Sequence, residues 1–107
     1  MAEILKGTLD LLILRTLSLG PNHGLGIARR IAQVTRGALD VKPGSLFPAL
    51  YRLEEKGWLT SEWRASGAHP RAKLYKLTPA GRKQIQAETA AWSRTAEAIA
   101  RVIEATS

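Results

Sequence analysis

The segment 41–64 constrains the fold of this chain more than any other part of its sequence. Its apolar residues Leu46, Leu50 and Leu53 recur at helical spacing, which predicts a helix that is buried on one face and ends at Gly57. The residues after Gly57 alternate in polarity, which predicts a strand. A helix with a small, polar and basic outer face, followed by a hairpin, is the arrangement that a winged DNA-binding helix requires.

The remaining elements follow from hydrophobic periodicity and from helix-ending residues. Helices are predicted over 4–19 and 24–36, the second with Asn22 or His23 as its cap and with Ile27, Ile31 and Val34 at helical spacing. The segment 38–42 is a short connection that can form a brief extended pairing. A third helix is predicted over 45–56, capped by Ser45 and with Pro48 in its first turn. Two strands joined by a loop are predicted over 59–64 and 71–77. A long helix capped by Thr78 is predicted over 79–105.

This order of elements predicts a mainly α fold with a small β-hairpin. The expected architecture is a winged helix-turn-helix plus a long C-terminal helix. We expect residues 1–78 to form the DNA-binding domain and residues 79–107 to form a dimerisation helix, with both parts in one compact unit. The length of 107 residues is enough for one core and too short for two comfortable ones.

The charge of the chain is concentrated in its centre. The sequence has 16 Lys and Arg against 9 Asp and Glu, a net charge of +7. The window 29–83 contains twelve of these basic residues and four of the acidic ones, so the whole excess lies inside it. A basic excess confined to one structural unit indicates a face that binds a polyanion.

Several other classes of protein are disfavoured by composition. Cysteine is absent, which excludes disulfides and thiolate chemistry, and two histidines that are distant in sequence make no metal site. No pattern of a catalytic triad, paired acids or a phosphate-binding glycine loop is present, so we expect neither an enzyme nor a cofactor. The sequence has no membrane-spanning run and no signal-peptide pattern, which predicts a cytoplasmic protein.

The residues expected to contact DNA lie on the third helix and on the wing. Arg52 is expected on the outward face of the helix, where an arginine can bind guanine O6 and N7 or a phosphate. The predicted contacts are Ser45, Phe47, Pro48, Tyr51, Arg52, Arg64, Arg71 and Lys73. An alternative interpretation is a winged-helix module whose basic face binds RNA or a protein partner.

The final helix has an apolar seam of its own. Ile85, Trp92 and Ile99 recur every seven residues, which is typical of a helix that packs against a second helix. A symmetric dimer would bury this seam and present two reading helices to two half-sites. The predicted dimer interface consists of Ile85, Trp92, Ala96, Ile99 and Ile103. The alternative is that the seam packs entirely on the first helix of the same chain.

Four blocks of sequence resemble the PadR family of bacterial transcriptional regulators. They are Gly-Thr-Leu-Asp-Leu-Leu-Ile-Leu at 7–14, Gly-Pro-Asn-His-Gly at 20–24, Gly-Ser-Leu-Phe-Pro-Ala-Leu-Tyr-Arg-Leu-Glu-Glu-Lys-Gly at 44–57 and Arg-Ala-Lys-Leu-Tyr-Lys-Leu-Thr-Pro-Ala-Gly-Arg at 71–82. The resemblance implies a winged-helix homodimer that represses transcription and is released by a small-molecule effector. It also implies that Trp92 is the position at which a planar aromatic effector would bind, whereas the seam spacing alone favours Trp92 as a core residue of the dimer. The family usually has tyrosine where this chain has Phe47, so one phenolic hydroxyl is missing.

Overall fold

The computed structural model describes the backbone of residues 2–66 and 69–105 and the side chains of residues 7–64 and 72–105. Within these ranges the elements are, in chain order, α1 (Ala2–Leu17), β1 (Asn22–His23), α2 (Gly24–Val34), α3 (Pro43–Glu55), β2 (Leu59–Ser66), β3 (His69–Leu77) and α4 (Pro79–Ala105). The predicted fold class is confirmed: a mainly helical winged helix-turn-helix with a small antiparallel sheet and a long C-terminal helix.

The sheet contains a strand that the sequence did not predict. Its order is β1-β3-β2 with antiparallel pairs throughout, and Asn22 lies opposite Tyr75. His23 Nδ1 also donates a 2.9 Å hydrogen bond to the Lys73 carbonyl oxygen, which links the start of α2 to the wing. The extended pairing expected in 38–42 was wrong, because that segment forms no strand. The hairpin strands are longer than predicted and reach Ser66 and His69.

The core lies where the first three helices meet the inner face of the sheet. Its largest fully buried side chains are Ile13, Leu14, Leu17, Ile27, Leu46, Leu50, Leu53, Leu59 and Tyr75. Val34, which was expected at the buried spacing of α2, is instead 67% exposed. The reason is that α2 ends at Val34, where Arg36 and Gly37 adopt positive φ angles of 53° and 81° and turn the chain away.

Helix α3 begins two residues earlier than predicted. Lys42 occupies the cap position and Pro43 the first helical position, so Ser45 is inside the first turn and makes no cap. Pro48 therefore lies in the helix interior, where its missing N–H removes one backbone hydrogen bond. The predicted stop is confirmed. Gly57 has φ of 79°, and the Trp58 N–H bonds the Leu53 carbonyl at 3.1 Å in a Schellman motif.

Helix α4 starts as predicted and then leaves the core. The Thr78 hydroxyl accepts a 3.0 Å bond from the Gly81 N–H, which caps the helix. A side chain at Gly81 would overlap the Trp58 carbonyl, so this position packs tightly on the turn after α3. The buried residues of α4 are Gly81 and Ile85, both in its first two turns. The later turns extend past the core, in a molecule 54 Å long.

Candidate nucleic-acid interface

The outward surface of α3 is formed by small and aromatic side chains. Leu46, Ala49, Leu50 and Leu53 are buried on the opposite face and fix the rotation of the helix. Ser45 and Pro48 are exposed, and Tyr51 is 54% exposed. These three residues therefore stand on the solvent side, as the helical spacing predicted. They form a shallow surface that a major groove can accommodate.

Arg52 does not share this outward orientation. Its guanidinium Nη2 donates a hydrogen bond to the Asp10 Oδ1 of α1, and the two side chains are only 25% and 10% exposed. The expectation that Arg52 projects from the middle of the outward face was wrong. The physical reason is that Asp10 is a buried carboxylate, which requires a cationic partner, and Arg52 is on the flank of α3 within its reach.

Phe47 is engaged in packing between helices. Its ring packs against the core and leaves so little room beside α2 that a side chain at Gly24 would approach the ring to 2.8 Å. The residue is half-buried. Phe47 therefore holds α2 against α3, which are the two helices of the helix-turn-helix, and its predicted contact with DNA is limited to the exposed part of the ring.

The basic residues of the wing differ in their surroundings. Arg64 is exposed on the outer face of the sheet and pairs with Glu62 at 3.0 Å. Lys73 is on the inner face next to α3, where its ammonium lies over the rings of Tyr51 and Trp63. The side chain of Arg71 falls outside the described residues. The structure thus brings Lys73 together with Tyr51, and it places Arg64 on the other face of the sheet.

Sequence reasoning missed Trp63 and Asp10. Trp63 is 59% exposed at the end of the inner face of β2, beyond the edge of the core. The alternation that starts at Leu59 could have predicted that Trp63 lies on the inner face, because residues at even spacing share one face of a strand. The sequence signal for Asp10 is that it is the single acidic residue in the apolar segment 4–19.

A side-chain hydrogen bond also connects the C-terminal end of α3 to the wing. Ser61 donates a 2.7 Å bond to the Glu54 carboxylate, which fixes the angle between α3 and β2. Buried Tyr75 lies in the same region. Burial raises the pKa of its hydroxyl, with smaller contributions from the negative charge of Glu54 and from Tyr51.

A groove lies between α1 and the middle of α4. It has a volume of about 500 Å³ and is lined by residues that include Thr8, Glu88, Trp92, Ala96 and Ile99. Trp92 and Ile99 are 51% and 45% exposed. Ile85, which was predicted in the same seam, is instead 8% exposed and belongs to the core of its own chain. The residues of the predicted seam are therefore divided: Ile85 belongs to the core, and Trp92 and Ile99 lie on the exposed part of α4.

Metal-binding and membrane-spanning features are both absent from the described part of the chain. No group of three or more metal-ligating side chains occurs there. None of the described helices has the length and apolar character needed to cross a membrane.

Comparison with known proteins identifies the relatives of this fold. Residues 13–87 match the model of the transcriptional regulator PadR-like family. The chain is 35% identical over 82 residues to the transcriptional regulator Rv3488 of Mycobacterium tuberculosis, covering 77% of this chain and 73% of that protein. It is also similar to the solved structure of a transcriptional regulator from Clostridium thermocellum, with 27% identity, a TM-score of 0.82 and coverage of 92% and 96% of the two chains. A PadR family transcriptional regulator from Eggerthella lenta gives 27% identity, a TM-score of 0.78 and coverage of 96% and 88%.

Proposed function

The chain belongs to the PadR-like family of transcriptional regulators, and we propose that it is a homodimeric repressor that binds operator DNA through α3 and the wing. The observation that most supports this is the exposed surface of Ser45, Pro48 and Tyr51 beside Lys73 of the wing. A reading helix enters the major groove while a wing reaches the neighbouring phosphates. The proposal includes no catalytic role.

The DNA-binding unit proposed here consists of residues 1–78. Arg29 and Arg30 on α2 are exposed and belong to the helix that precedes α3, so they are available to add phosphate contacts. Basic residues that contact phosphates do not distinguish base sequences, and they increase the affinity for any duplex. Base reading is assigned to Ser45, Pro48 and Tyr51. Arg52 is withdrawn from this assignment because its guanidinium is paired with Asp10.

The proposed dimerisation element is the segment 79–107, which contains α4 (Pro79–Ala105). Trp92 and Ile99 are apolar, about half exposed, and separated by seven residues on α4, with half-buried Ala96 between them. A second copy of α4 would remove this seam from water, which is the principal driving force for packing two helices. A two-fold dimer would also present two copies of α3 to two half-sites that are related by the same dyad.

The groove beside Trp92 is the proposed effector-binding site, and effector binding there would release the repressor from DNA. Its volume of about 500 Å³ falls in the range of small-molecule sites, and Trp92 offers an exposed aromatic surface for a planar aromatic compound. Binding there would act on the dimer, because the same residues belong to the proposed seam. Quenching of Trp92 fluorescence measures binding, and Trp92→Leu separates it from Trp58 and Trp63. Quenching that survives Trp92→Leu would contradict this site.

The operator itself provides the test of the proposed function. The purified protein is used to select fragments from a library of random duplex DNA, and the selected fragments are sequenced. We expect an enriched motif with two half-sites related by a dyad, and binding that is far stronger to duplex DNA than to RNA of the same sequence. We propose that the protein is cytoplasmic, because it must reach operator DNA there. Absence of duplex binding at low salt would contradict the proposal and favour a basic face that binds RNA or protein.

A further inference from the structure

Lys73 is held between two aromatic rings at the junction of α3 and the wing. Its Nζ lies 5.6 Å from the ring centroid of Tyr51 and 5.4 Å from that of Trp63. Trp63 is directly opposite Lys73 in the antiparallel pair of β2 and β3, whereas Tyr51 approaches from α3. Both distances are within the range of a cation–π interaction. The ammonium is therefore confined from two sides by rings that belong to different elements.

The rings hold this cation without neutralising it. Two other basic side chains of α3 and the wing are paired with carboxylates: Arg52 with Asp10, and Arg64 with Glu62. Within the described residues Lys73 has no ion pair. An aromatic ring attracts a cation through its quadrupole and contributes no negative charge. The full positive charge of Lys73 thus remains available to an anion.

A confined lysine binds an anion at a lower entropic cost than a free one. The lysine side chain has many rotamers, and most of that freedom is lost when its ammonium is fixed at a phosphate. At Lys73 part of the loss has already occurred in the free protein. The inner face of the wing directs this ammonium to the solvent side of α3, beside exposed Tyr51, where the backbone of a duplex in contact with α3 would pass.

We propose that Tyr51 and Trp63 are positioning residues that hold the Lys73 ammonium for one backbone phosphate in each operator half-site. This inference rests on the proposed function and adds to it a role for Trp63, which acts through Lys73. Phosphate is the favoured ligand because an ammonium is a point charge that binds phosphate well. An ammonium also lacks the bidentate geometry with which arginine binds guanine.

A double-mutant cycle tests the inference. Trp63→Leu, Lys73→Met and the double variant are compared with the wild type on a duplex that the wild type has selected from a random library, and on an unrelated duplex of equal length. For the dimer, Lys73→Met is expected to reduce the slope of log K against log salt by about 2, one phosphate per half-site. Trp63→Leu is expected to weaken binding about fivefold or more, because two lysines then lose their confinement.

The controls separate positioning from other roles. Trp63→Phe keeps a ring and is expected to retain most of the affinity, whereas Tyr51→Leu also removes a proposed base contact and is expected to lose at least as much affinity as Trp63→Leu. In the Lys73→Met background Trp63→Leu should change binding less than about twofold. A full loss in that background would overturn the inference, because Trp63 would then contact DNA itself. An unchanged salt slope for Lys73→Met would also overturn it. Both results would appear while the wild type binds duplex DNA, so they are distinct from failure of the proposed function.

Discussion

The guanidinium of Arg52 in α3 binds the carboxylate of Asp10 in α1, and this pair joins the proposed reading helix to the helix that packs along α4. Both side chains are largely buried, so each charge depends on the other. The pair fixes the position of α3 relative to α1. We therefore expect Arg52 to affect DNA binding only indirectly, through the placement of Ser45, Pro48 and Tyr51.

Removal of Arg52 is expected to destabilise the fold. Arg52→Met leaves Asp10 as a buried, unpaired carboxylate, and we expect the free energy of unfolding to fall by about 2–3 kcal/mol, somewhat below the value for fully buried pairs. Urea unfolding monitored by circular dichroism measures the loss. The matched control is Arg52→Met with Asp10→Leu, which removes both charges and should recover part of the stability. A loss of specific DNA binding by Arg52→Met without a loss of stability would contradict the pairing.

The error over Arg52 shows a limit of helical-face arguments. The spacing of Leu46, Leu50 and Leu53 predicted the buried face of α3 correctly, and it predicted the exposure of Ser45, Pro48 and Tyr51. Arg52 lies on the flank of the helix, where a long side chain can turn either way. Its direction is decided by a partner that is 42 residues away in sequence. Periodicity contains no information about such a partner.

Other parts of the fold were predictable for local reasons. Thr78 fixes the start of α4 with its side-chain hydroxyl, Gly57 fixes the end of α3 with its positive φ angle, and both residues are visible in the sequence. Strand β1 was not predictable, because two residues contain no periodic signal. It exists because Asn22 and His23 pair with β3, which is a tertiary contact. Ile85 likewise fits a heptad seam, yet the core covers it.

A charge in the exposed part of the α4 seam is expected to prevent dimerisation. Ile99→Glu would place two carboxylates near a symmetry axis, at a cost of several kcal/mol for the burial of unpaired charge. Analytical ultracentrifugation should show monomers, and DNA binding should fall although α3 and the wing are unchanged. Gln86→Glu adds the same charge to an exposed position of α4 outside the proposed seam and should leave the dimer intact. A stable Ile99→Glu dimer would contradict the proposed seam.

Tyr75 is expected to make stability fall at alkaline pH. Burial raises the pKa of its hydroxyl, so the folded state holds the phenolic proton more tightly than the unfolded chain does. Stability is therefore unaffected by this group well below pH 10 and decreases above about pH 10, at up to about 1.4 kcal/mol per pH unit. Urea unfolding of the wild type and of Tyr75→Phe between pH 8 and 11 measures the difference. Parallel curves for the two proteins would refute the role of Tyr75.

The salt dependence of operator binding tests the central claim most directly, because a winged helix with a basic face binds DNA by displacing condensed counterions. The affinity for a selected operator is measured by fluorescence anisotropy across a series of potassium chloride concentrations. If the dimer makes about six to ten phosphate contacts, log K against log salt should have a slope of about −5 to −9. A slope shallower than about −2 would contradict an interface dominated by phosphate contacts.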